Sequence, residues 1–174
     1  MKYTFVLLIA ALLIACADPK ADLVKEIDAL TASMVAEDFP SAENMNKIVD
    51  LYNQYIAAYP AEAAAYNYME LKAKYLAANS DFEGAVKAYD DVIATFPEGT
   101  RKADALFMQA FNYENNLANL ESAEAKYLAF IEQYPKHEMV KDARFAIENL
   151  SLSDAELFEK LMQLQGDTAL VDTL

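Results

Sequence analysis

Cysteine is all but missing from this sequence. Cys16 is the only one in 174 residues, so no internal disulfide can staple the fold. Histidine is as scarce: His137 stands alone in "YPKHEM", and neither a metal motif nor a Ser/His/Asp arrangement can be assembled from that supply. Its place just past a proline predicts an exposed loop or helix-start residue. The three glycines, Gly84, Gly99 and Gly166, are too scattered for a phosphate-cradling loop. Positive charge is short too, with 14 Lys and Arg against 28 Asp and Glu, a formal net charge of -14. Such a surface repels phosphate backbones, which argues against nucleic acid, and gains nothing from anionic lipid headgroups. Carboxylate neighbours such as Asp90 and Asp91 point in different directions on a helix and cannot share a substrate. No catalytic residue, metal, cofactor or small-molecule substrate is expected.

Long hydrophobic runs are also rare. The one present, Phe5 to Ile14, is too short to span a bilayer well. It follows Met1-Lys2 and leads into Ala15, the layout of a secretory signal peptide. Its end, Leu13-Ile14-Ala15-Cys16, resembles the lipobox of bacterial lipoproteins. The resemblance implies a diacylglycerol on the Cys16 thiol, removal of residues 1–15 and acylation of the new amino terminus. One acyl chain binds a membrane only marginally, each buried methylene adding about 0.8 kcal/mol, so two or three chains are what hold a protein down. Residues 16–21 then form a lipidated linker. Ala17, where an aspartate would retain the protein at the inner membrane, implies the outer membrane by the same resemblance. Asp18 and Asp22 leave both the periplasmic face and the cell surface open.

The rest of the chain repeats. "LYNQYIAAYP", "AYDDVIATFP" and "KYLAFIEQYP" end at Pro60, Pro97 and Pro135. Each has an aromatic eight residues before the proline (Tyr52, Tyr89, Tyr127), an isoleucine four before (Ile56, Ile93, Ile131) and an aromatic directly before it (Tyr59, Phe96, Tyr134). Aromatics are 11% of the chain, so chance does not explain the agreement. The spacing of 37 and 38 residues is that of helical solenoid repeats. A fixed offset of 38 pairs Tyr75 with Tyr113, Phe82 with Leu120 and Ala85 with Ala123.

Ala85, Tyr89 and Ile93 lie on one helical face, with Asn79, Ser80 and Asp81 as candidate N-caps in front and Pro97 behind. Gly84, early in this helix, suggests close packing against a neighbour. Upstream, "AAAYNYMELKAKYLAA" has helical composition with few breakers. Each unit is therefore an antiparallel pair, helix A then helix B. Further helices are expected at 22–37, at 42–58 and, from the Ser-x-x-Glu capping pattern, at Ser153 to Leu164. Gly166 stops the last, leaving 166–174 as a loose tail.

This pattern resembles the tetratricopeptide repeat. Ala85 and Ala123 match its small residue near the start of helix B, Tyr89 and Tyr127 the aromatic four later, and Pro97 and Pro135 the closing proline. In "ADALFMQAFNYENN", Ala110 and Tyr113 match the small and aromatic positions of helix A. Lys72 departs from the pattern, standing where a small residue is expected. The resemblance implies an all-α, right-handed solenoid of about four helix pairs over residues 22–165. It also implies recognition of protein segments in a concave surface lined by A helices. By that likeness the inward stripe carries Tyr66, Met69, Glu70 and Ala73 on one A helix, and Asp104, Phe107, Phe111 and Asn115 on the next. Aromatics at helical spacing are also what a core looks like. Tyr66 and Tyr68 lie on different faces, so both cannot enter one seam.

Among envelope lipoproteins the chain is similar to the repeat region of the β-barrel assembly lipoprotein and to the repeat protein of the Tol-Pal system. An envelope scaffold with protein partners, joined to the membrane through Cys16, is the expectation. A structural outer-membrane tether is the alternative.

Overall fold

The computed structural model describes residues 18–37, 40–96, 99–153, 155–160 and 162–163. Among them are seven helices: α1 (Pro19–Val35), α2 (Ala42–Ala58), α3 (Ala63–Ala78), α4 (Phe82–Thr95), α5 (Thr100–Asn115), α6 (Leu120–Gln133) and α7 (Val140–Asn149). Residues 155–160 are helical again, and the described residues hold no strand. Each helix packs chiefly on the helix before it and the helix after it, the nearest-neighbour packing of a helical solenoid. The all-α array of stacked pairs expected from the sequence is the observed fold. No helix of the described residues is long and apolar enough to cross a membrane. The leader with Cys16, Pro97 and the tail 166–174 lie outside the described residues.

Helices α2 and α3 begin and end where the sequence places them. Helix α1 begins at Pro19 rather than Asp22 and so enters the stretch 16–21 expected as a linker. The cause is local: the Asp18 side chain accepts from the Lys20 N–H at 3.0 Å, and proline suits the first helical position because its missing N–H would be unpaired there anyway.

From α2 onward, capping follows the alternation of the helices. The B helices α2, α4 and α6 each have a side-chain N-cap, Ser41, Asp81 and Asn119, accepting from the N–H of Asn44, Gly84 and Ser122. The A helices α3, α5 and α7 start without one. Ser153 and Glu156 form the expected capping box: the Glu156 carboxylate accepts from the Ser153 N–H at 2.8 Å, and Ser153 Oγ accepts from the Glu156 N–H at 3.4 Å. Gly84 is explained by its own cap rather than by a neighbouring helix. A Cβ there would collide with the Asp81 carboxylate that caps α4.

Three cores are strung along the array, each built around one B helix held between two A helices. The first gathers Ile27, Met34, Ile48, Tyr52 and Tyr55, the second Ala73, Ala88, Tyr89 and Val92, the third Ala103, Ala110, Ala123, Tyr127 and Phe130. The three repeat tyrosines, Tyr52, Tyr89 and Tyr127, occupy matching places, each only 1% exposed. Tyr68 stacks on Tyr52 with ring centroids 4.8 Å apart, while Tyr66 packs on Phe96 at 5.0 Å. Two tyrosines of α3 thus serve two different cores, as their opposed directions require.

The register differs from the expected constant offset. Helix α4 starts at 82 and α6 at 120, an offset of 38, but α3 starts at 63 and α5 at 100, an offset of 37. The extra residue sits in the α5–α6 turn, where Ala118 adopts φ 49°, as Ser80 adopts φ 63° in the α3–α4 turn. Ala110 therefore corresponds to Ala73, both fully buried, and not to Lys72. Tyr113 likewise corresponds to Leu76 rather than Tyr75.

Candidate functional site

The A helices α3, α5 and α7 border two hollows that meet along one face of α5. Asp104, Phe107, Met108, Phe111 and Asn115 recur at three- and four-residue steps, so they share that face. Between α3 and α5 lies a hollow of about 190 Å³, bounded by Glu70, Lys74, Tyr89, Asp104, Met108 and Met139. Between α5 and α7 lies a larger one of about 440 Å³, bounded by Phe107, Phe111, Glu114, Asp142 and Phe145 among others. Phe111 and Phe145 remain about 40% exposed and border the same hollow, so they form an apolar patch rather than scattered single rings. Phe107 is more enclosed, edge-on to Tyr127 at 5.5 Å and to Phe130 at 5.6 Å. It belongs to both core and wall.

The charges of this face are mostly negative. Glu70 pairs with Lys74 at 2.7 Å, and Asp104 lies 3.4 Å from His137 Nε2. Burial pushes the Asp104 carboxyl above its usual range; His137 and Lys74 pull it down, Glu70 and Glu138 push it further up. Tyr127 donates to Glu114 Oε2 at 2.7 Å, so its phenol is raised by burial and by that bond. Tyr89 is pushed up to about 12 by burial and by the nearby Glu70 carboxylate. Its hydroxyl has no hydrogen-bond partner among the described residues.

His137 is not the exposed residue its setting suggested. Its side chain is 12% exposed, edge-on to Phe130 at 5.3 Å. The Met139 N–H approaches Nδ1 at 3.4 Å, which leaves Nε2 to face Asp104.

Of the six residues picked from the sequence, the structure brings Glu70 and Asp104 together in the smaller hollow and Phe107 and Phe111 in the larger. Tyr66 stands apart beside Asn67, Phe96 and Arg101. Met69 lies in the seam between α3 and the B helices, beside Ile56, Ala88 and Asp91. Cys16 lies outside the described residues. Sequence reasoning passed over Asp142 and Phe145, whose three-residue spacing on α7 was the available signal, and it gave Tyr89 no part in the groove.

The chemistry offered is that of a docking groove: exposed rings, carboxylates on the rim and few competing cations. Among the described residues no group of three or more His, Cys, Asp or Glu could hold a metal ion. A helical repeat fold of this kind is typically a non-enzymatic interaction scaffold. No match to the chain was found among curated proteins. Residues 104–137 match the tetratricopeptide repeat family, running from Asp104 on α5 through α6 to His137, and with helix pairs of the same form before them they support the reading of this chain as a tetratricopeptide repeat protein suited to binding other proteins.

Proposed function

We propose that this protein is a lipid-anchored scaffold of the bacterial envelope, fixed to the outer membrane through Cys16, which grips a segment of another protein between its A helices. The observation that carries the reading is the face of α5. Asp104, Phe107, Phe111 and Asn115 stand in one row, with Phe111 and Phe145 exposed at the mouth of the larger hollow. Carboxylates from Glu70, Asp104, Glu114 and Asp142 border the two hollows, with Lys74 the one bordering cation among the described residues. Such a field speeds the approach of a partner carrying Lys or Arg and rejects acidic ones. The likeness of Leu13-Ile14-Ala15-Cys16 to a lipobox supports the anchor, and a subunit of an outer-membrane assembly or maintenance complex is the role that joins anchor and groove. A bare tether would need the anchor but not the groove.

Affinity purification from detergent-extracted membranes tests this. The wild-type chain should carry acyl chains on Cys16 by mass and bring down a stoichiometric protein. A Phe111→Ser/Phe145→Ser variant should lose that protein while keeping its helical circular dichroism and melting temperature. Retention of the partner by the double variant, or an unlipidated wild-type chain in the membrane fraction, contradicts the proposal.

A further inference from the structure

We infer that the smaller hollow, between α3 and α5, is a receptor for one cationic side chain with an aliphatic stem, a lysine of the bound segment. The inference rests on the partner-binding reading of the groove and names the residue type recognised there.

The walls of this hollow divide by chemistry. Met108 and Met139 supply soft, adaptable apolar surface, and Glu70, Asp104 and Tyr89 supply oxygen acceptors. A lysine side chain has the same division, four methylenes ending in an ammonium with three N–H donors and no acceptor. Asp104, Glu70 and the Tyr89 oxygen together offer one acceptor to each donor. Tyr89 is 1% exposed, and its hydroxyl is unpartnered among the described residues. A buried hydroxyl without a partner is a standing cost that native structures seldom carry, and an ammonium entering from the groove would relieve part of it by donating to the Tyr89 oxygen. The Met side chains, with three rotatable bonds each, can move aside to let it reach that oxygen.

The present occupant of the rim is weakly held. Lys74 pairs with Glu70 from the same helix, the lysine side chain 52% and the glutamate 25% exposed, and a pair of this spacing with its cation in solvent contributes little. It can swing into solvent as the incoming cation takes Glu70. At about 190 Å³ the hollow admits one extended alkylammonium group but no folded element. Its surroundings add Glu138 and His137, of which only the histidine could oppose a cation, and only when protonated.

The test uses the purified full chain with 13C-methyl methionine and follows the Met108 and Met139 resonances by NMR during titration with n-butylammonium. Both should shift saturably, with a dissociation constant of roughly millimolar for so small a probe. Butan-1-ol at equal concentration should not reproduce the shift. Asp104→Asn should weaken binding about tenfold, and Tyr89→Phe should weaken it several-fold, neither with a lowered melting temperature near pH 7. A stronger response to n-butylguanidinium would make arginine, not lysine, the residue received and overturn the assignment. So would an equal response to butanol, a response that does not saturate, or binding indifferent to Asp104→Asn. The two readings fail separately. If n-butylammonium binds while the Phe111→Ser/Phe145→Ser variant keeps its partner, the groove reading falls and the pocket stands; if the partner is lost but no saturable shift occurs, the pocket falls and the groove stands.

Discussion

Two buried tyrosines at corresponding positions show how much depends on a single partner atom. Tyr127 donates to Glu114 at 2.7 Å, whereas the Tyr89 hydroxyl has no partner among the described residues. Tyr127→Phe removes a bond to a charged acceptor and should lower stability by about 1–2 kcal/mol, while Tyr89→Phe removes an unmet polar group and should leave stability unchanged or raise it by about 1 kcal/mol. Urea titration of both variants decides the point, and equal losses would contradict it. Asp104 makes a second contrast. Burial raises its carboxyl above the usual value, so the folded chain holds that proton at a pH where the unfolded chain has released it. Through that window stability falls as pH rises. Asp104→Asn removes the effect, so the variant's melting temperature relative to wild type should be higher near pH 7 than at about pH 3. The difference should be small, because the side chain is 40% exposed.

At the scale of elements, strain is concentrated in the A–B turns. Ala118 holds φ 49°, a left-handed conformation in which a Cβ costs about 1 kcal/mol. Ala118→Gly should therefore stabilise the α5–α6 pair by about 0.5 kcal/mol once the extra freedom of glycine in the unfolded chain is subtracted, measured as a raised melting temperature. A fall in that temperature would mean that the turn is not strained.

That same turn marks where the sequence stopped being legible. Helices α2 and α3 could be bounded because Ser41, Pro60 and the Asn79–Asp81 cluster punctuate them. The single inserted residue near Ala118 carries no punctuation of its own, so a constant offset of 38 was carried into helix A and Lys72 was matched where Ala73 belongs. The groove was legible on α5, where polar Asp104 and Asn115 bracket Phe107 and Phe111 and so mark a face. It was not legible on α3, because "AAAYNYMELKAKYLAA" has apolar residues all round. Tyr66 and Met69 could not be told from Glu70 by period alone, and packing against α4 decided their places. Helix α7 is short, and its Asp142 and Phe145 became readable only when α5 was seen beside it.

Over the described residues, three successive cores, the second and third joined through Ile93, carry one continuous face. The cores explain why the repeat tyrosines are buried, and they leave the A helices free to show Phe111 and Phe145 on one side while α6 shows Leu128, 51% exposed, elsewhere. Four carboxylates, Glu70, Asp104, Glu114 and Asp142, and the exposed rings of Phe111 and Phe145 meet on the groove side, and a partner bearing lysine would bury apolar area there with its charge matched. The most direct measurement is site-resolved photo-crosslinking in living cells, with a photoreactive phenylalanine analogue placed in turn at Phe111, Phe145 and Leu128. The account predicts that positions 111 and 145 capture the same partner protein and that position 128 does not. Capture at 128 alone, or equally at all three, would contradict it.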